Sequence, residues 1–67
     1  MTTYKWMSRS LCELDTDIDE TADICNAFTH LMRIILNKWD KKSKITVTIE
    51  RKQELWDYQY LLEGTIE

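Results

Sequence analysis

Glu50-Arg-Lys-Gln-Glu-Leu-Trp-Asp-Tyr-Gln-Tyr-Leu-Leu-Glu63 is the stretch on which the fold turns. Trp56, Tyr58, Tyr60 and Leu62 alternate with Asp57, Gln59, Leu61 and Glu63. Apolar and aromatic residues at every second position suit a strand with one face on a core. The competing reading is a helix from Glu50 to Glu63, stopped by Gly64 as its C-cap. The aromatic alternation favours the strand. Residues Arg51 to Glu54 contain no Gly, Asn, Asp or Pro, so a tight two-residue turn is unsupported there, which leaves room for a four-residue connection.

Upstream lies Lys44-Ile-Thr-Val-Thr-Ile-Glu50, in which Ile45, Val47 and Ile49 alternate with Thr46, Thr48 and Glu50. Five consecutive β-branched residues with period two make a strand with one buried face. The two strands together form an antiparallel hairpin, with residues 40–44 as the loop before it.

Further upstream the period changes from 2 to 3.6. Asp19, Asp23, Asn26, His30, Arg33 and Asn37 recur at spacings of 4 and 3, one polar stripe of a helix running from about Asp15 to Trp39. The opposite side carries Ile18, Ala22, Cys25, Phe28, Met32, Ile35, Leu36 and Trp39, with Ile24, Ala27, Leu31 and Ile34 widening the apolar arc on one flank. A polar stripe this narrow implies that most of the helix circumference is covered, by its own chain or by a second subunit. Asp17-x-x-Glu20 has capping-box spacing, and Lys38, Lys41 and Lys42 suit the negative end of the macrodipole. Tyr4 and Trp6 flanking Lys5 suggest a short N-terminal strand, although Tyr4, Met7, Leu11 and Leu14 also fit helical spacing. The expected fold is α+β, one long central helix on a small antiparallel sheet in the order β-α-β-β. The alternative is an all-α chain with a C-terminal helix.

The 67 residues suffice for one domain, expected to span positions 1–67. A chain this short buries only about 60% of its unfolded surface, so a partner chain is an economical source of extra burial, and a homo-oligomer is expected. Seven aromatics include three tryptophans, too many for a disordered chain. No basic stretch followed by an apolar run resembles a secretory leader, and no apolar run could span a bilayer. With only Cys12 and Cys25, the expected setting is a reducing cytoplasm with free thiols and no membrane.

Candidate chemistry is sparse. Asp15-x-Asp17-x-Asp19 opens like a calcium loop, but its sixth position is Glu20 where glycine is required and its twelfth is Asn26 where glutamate is required. Cys25 and His30 fall about 140° apart around the helix at 100° per residue, so they should not converge on zinc, and Cys25 reads as a small core residue. His30 is the only histidine, and nothing in the sequence ties a nucleophile to it. A phosphate-binding glycine loop is missing, and the chain has little room for a pocket of about 300 Å3. No catalytic residue, cofactor or metal is expected.

Charge is polarised. Glu13, Asp15, Asp17, Asp19, Glu20 and Asp23 come first with no base among them, and Lys38, Lys41, Lys42, Lys44, Arg51 and Lys52 follow. A hairpin sets the 40–44 bases and the 51–52 bases at opposite ends of a strand, which disfavours one nucleic-acid patch, as does a net charge of −3. The expected role is a non-enzymatic protein-binding module, an inhibitor, adaptor or regulator. Its surface is expected to comprise Glu13, Asp15, Asp17, Asp19, Glu20, Asp23, Asn26 and His30. Composition of this kind is common among accessory proteins of phages and mobile elements. Two other readings are a nucleic-acid binder or acidic DNA mimic, and a structural oligomeric subunit.

Overall fold

A computed structural model describes residues 1–67. Its elements run β1 (Thr2–Met7), β2 (Leu11–Cys12), α1 (Glu20–Lys38), β3 (Ile45–Glu54) and β4 (Asp57–Ile66). The fold is α+β, one helix on a four-stranded antiparallel sheet. The all-α alternative is therefore excluded.

The hairpin is tighter than its sequence suggests. β3 and β4 pair from Ile45↔Ile66 to Glu54↔Asp57, joined by Leu55 and Trp56 alone. No four-residue connection exists at 51–54, because Leu55 takes up the left-handed backbone itself, at φ 55°. Positive φ at the first central position only is the pattern of a type II′ turn, whose twist matches the flanking strands. A non-glycine residue there costs about 1 kcal/mol, which ten-residue strands on both sides can sustain. The alternation therefore begins at Tyr58. Trp56 lies in the turn, 59% exposed, and not on the core face.

β4 is the central strand. β3 lies along one side, and β1 and β2 share the other. β1 pairs from Thr2↔Ile66 to Met7↔Leu61, and pairing resumes at Leu11↔Tyr58. Ser8, Arg9 and Ser10 thus oppose only Gln59 and Tyr60, a bulge with one extra residue. Ser8 is buried and fills the gap in the ladder. Its N–H donates to the Tyr60 carbonyl at 2.9 Å, and its Oγ accepts from the Tyr60 N–H at 2.9 Å in place of a backbone carbonyl.

The helix begins later than its acidic lead-in suggests. Asp15 Oδ1 accepts from the Asp17 N–H at 3.1 Å, a local side-chain turn that competes with helical bonding. Asp19 is the N-cap and accepts from the Ala22 N–H at 3.1 Å, so the Asp17-x-x-Glu20 box is not used. Glu20 and Asp23 in the first turn and Lys38 in the last complement the macrodipole.

The buried face is also rotated from the one expected. Ala27, Leu31 and Ile35 are buried, while Phe28 and Leu36 are 40% and 52% exposed and Cys25 is exposed, not a core residue. The core comprises those three helix residues with Leu11, Tyr58, Tyr60 and Leu62. The polar stripe does not face solvent throughout. His30 stacks on Trp6 of β1 with ring centroids 4.9 Å apart, and Asp23 binds Arg9 at 2.8 Å. These contacts seat the helix over β1 and β4, and no Cα of β3 comes within 8 Å of it.

Gly64 permits that seat. A Cβ there would lie 2.0 Å from Ile35 Cδ1 and 3.3 Å from Ile35 Cγ1. Gly64→Ala is expected to cost about 1–3 kcal/mol by overpacking. Ile35→Val, which alone costs about 1 kcal/mol, removes the clashing methyl and should recover part of that loss in the double variant. Denaturant unfolding of the four proteins gives the coupling, and strictly additive losses would show that this contact is not the cause.

Candidate functional site

The acidic lead-in, the helix start and the hairpin meet at one recess of about 720 Å3, lined by Glu13, Asp15, Thr16, Ile18, Asp19, Glu20, Arg51 and Tyr58. This is more space than the chain length suggests. The β2–β4 ladder explains the assembly. Glu13 continues β2 and donates its N–H to the Trp56 carbonyl at 2.7 Å, which brings the acidic segment beside the hairpin turn. On the other side of β4, Arg51 pairs with Tyr60 and Gln53 with Tyr58.

Glu20 is the best-held acid. Its two oxygens accept from the Tyr58 hydroxyl at 2.9 Å and the Tyr60 hydroxyl at 2.8 Å. The two phenols, one strand pleat apart, form a fork for one carboxylate, and their rings meet edge to face at 5.9 Å. The Tyr60 bond first, then the Tyr58 bond, holds the Glu20 carboxyl below its ordinary range. Both phenols are shifted upward: Tyr58 by burial and then by Glu20, Tyr60 by its bond to Glu20 and then by burial. Arg51 lies over the Tyr58 ring, 4.1 Å from its centroid, and donates to Glu13 Oε1 at 3.0 Å. Gln53 Nε2 donates to the same Glu13 oxygen and to the Leu55 carbonyl at 3.2 Å.

The expected surface residues fall into two groups. Glu13, Asp15, Asp19 and Glu20 line the recess. Asp23, Asn26 and His30 line a hollow of about 170 Å3 against Trp6, Met7, Ser8 and Arg9. Asp17 is exposed and lines neither. Sequence reasoning missed Arg51, Gln53, Tyr58 and Tyr60, because their role depends on cross-strand pairing. A two-residue turn at Leu55-Trp56 would have placed them.

Large apolar side chains are exposed outside the recess lining. Leu14, Leu55 and Trp56 are 68%, 86% and 59% exposed at the hairpin turn and the segment beside it. Both thiols are free, and no group of three or more His, Cys, Asp or Glu side chains could hold a metal ion. The basic residues stay divided: Lys41, Lys42 and Lys44 lie before β3, and Arg51 and Lys52 toward its far end. No helix is long and apolar enough to cross a membrane. No protein-family model, no curated protein and no solved structure matches this chain.

The Glu20 fork makes stability depend on pH at both extremes. A carboxyl whose folded pKa is lowered stabilises the fold above its unfolded value, and that stabilisation is lost as pH falls through the folded pKa. A phenol whose folded pKa is raised stabilises the fold below its unfolded value, and that is lost as pH rises through the folded pKa. Stability should therefore decline below the ordinary carboxylate range and again above the ordinary tyrosine value of 10.0. Glu20→Gln should move the ionisation of both phenols to lower pH, Tyr60 more than Tyr58, in an ultraviolet titration. Unmoved tyrosinate absorbance would contradict the fork.

Proposed function

We propose that this domain is a small, non-enzymatic protein-binding module, an inhibitor, adaptor or regulator acting in the cytoplasm. Its recognition surface is the acidic recess together with the hairpin turn. One observation carries the reading: Leu14, Leu55 and Trp56 are exposed on the hairpin turn and on the segment bonded to it through Glu13, and that same segment supplies carboxylates to a recess bordered by four of them. A nucleic acid would be repelled by those charges, and no strand backbone gains from exposed leucines. A protein segment with basic residues flanking an apolar anchor fits both features. Tryptophan is over-represented among the residues that dominate protein interfaces. The carboxylates speed and orient the encounter more than they hold the complex.

Affinity should then divide between the two features. Trp56→Ala should weaken partner binding about 30-fold, the loss of about 2 kcal/mol typical of a central aromatic anchor. Asp17→Lys, at an exposed position with no side-chain bond, should slow association and flatten its salt dependence while leaving the circular dichroism spectrum unchanged. Nuclease-treated capture from native cells on the tagged chain supplies the partner. Binding that survives both substitutions would refute the assignment of this surface. Displacement of the partner by duplex DNA would instead establish the acidic DNA-mimic reading.

A further inference from the structure

β3 has one paired side and one free side, and the free side is unprotected between Lys44 and Glu50. Lys44 faces β4, since its carbonyl accepts from the Glu67 N–H at 3.0 Å. Along an antiparallel strand the N–H and C=O of successive residues point to alternate sides. The backbone groups of Ile45, Val47 and Ile49 therefore point away from β4, and no strand pairs with them. Natural edges are blunted by proline, bulges or inward-facing charge. The opposite edge of this sheet has such a device, the bulge at Ser8–Ser10. Residues 45–49 have none, and their inner face is only partly covered: Ile45 and Val47 pack at the margin of the core, and Ile49 is 51% exposed.

The sequence of that edge is its own complement. Read about Val47, Lys44-Ile-Thr-Val-Thr-Ile-Glu50 is a palindrome in which only the ends differ, and they differ in sign. An antiparallel two-fold pairing centred on Val47 sets Val47 against Val47, Ile45 against Ile49, Thr46 against Thr48 and Lys44 against Glu50. Cross-strand aliphatic, threonine and opposite-charge pairs are the combinations that stabilise sheets. Because Ile45, Val47 and Ile49 present their backbone groups outward, each opposed pair would exchange both hydrogen bonds.

We propose that the chain forms a homodimer through this edge, in the register centred on Val47. The two sheets merge into one of twice the width, with both helices on the same face, as a two-fold axis normal to the sheet requires. The partly covered strips of the two copies then adjoin, with the half-exposed Ile49 of each copy set against Ile45 of the other. Arg51 to Trp56 project beyond the paired segment, so the acidic recesses remain open at the two ends. The existing Glu50–Lys52 contact of 3.0 Å does not compete seriously, since both side chains are more than half exposed. The proposal does not depend on what the acidic recess binds.

Light scattering behind size exclusion, at about 0.1 mM chain, should give twice the 8.1 kDa chain mass. Val47→Pro removes an outward N–H without touching a β4 bond, and should yield a monomer. Lys44→Glu and Glu50→Lys each set like charges opposite one another at both ends of the interface, and should each weaken dimerisation about tenfold. The double variant Lys44→Glu/Glu50→Lys restores opposite charges in this register and should return the dimer to near its original affinity. A monomeric native chain, a dimer that survives Val47→Pro, or a double variant no better than the single ones would overturn the proposal.

Discussion

One helix has to serve a sheet wider than itself. A helix about 10 Å across covers roughly two strands at a spacing of about 4.8 Å. Here the helix lies over β1 and β4, and β3 reaches the core only through partly buried Ile45 and Val47. The choice of side follows from specific contacts. Trp6 stacks on His30 and Arg9 forks onto Asp23, so the helix is drawn toward the β1 edge. Gly64 lets Ile35 and Leu31 drop onto the C-terminal part of β4. The exposed Phe28, Leu36 and Ile49 are the consequence, for the sequence has apolar residues enough for two flanks and the chain provides a sheet surface for one.

With seven apolar residues in the buried cluster, polar contacts fix much of the geometry. Ser8 replaces a backbone acceptor at the bulge, and so lets one strand side be shared by β1 and β2. The shift of one residue at that point delivers Glu13 to the hairpin turn. Glu20 then ties the first turn of the helix to two rungs of β4. Each of these bonds joins residues far apart in sequence. Such contacts specify a register more than they add stability, because a hydrogen bond on folding replaces one to water.

How much of this was legible follows from which residues carry local information. The period-two run from Ile45 to Ile49 and the aromatic alternation of Tyr58, Tyr60 and Leu62 were read as strands, and they are strands. The helix was legible from its 3.6-residue recurrence, but its orientation was not. Phe28 and Leu36 are as apolar as Leu31 and Ile35, so periodicity cannot say which pair faces the sheet. That depends on His30 and Asp23 finding partners on Trp6 and Arg9, and those partnerships exist only in three dimensions. The turn was hidden for a different reason: Leu55 adopts a backbone that turn chemistry assigns to glycine or asparagine. The acidic half of the site was visible as a charge run, while Arg51, Gln53, Tyr58 and Tyr60 join it only through β3–β4 pairing.

The acidic run shows why a structural role and a recognition role are compatible. Most of its six carboxylates are engaged: Asp19 caps the helix, Asp15 holds a turn, Glu20 accepts from two phenols, Glu13 from Arg51 and Gln53, and Asp23 from Arg9. Engagement does not cancel charge unless the partner is itself charged. Backbone amides, phenols and a glutamine side chain orient a carboxylate and leave its field in place. Only Arg9 and Arg51 neutralise, so six negative charges against two positive ones leave four. Three of those four, Asp15, Asp19 and Glu20, are also held in fixed positions by the bonds that employ them. A preorganised cluster loses less conformational entropy on meeting a cationic partner than flexible surface acids would. The helix start and the recess are therefore one feature, in which the contacts that build the fold also fix the field that a partner would meet.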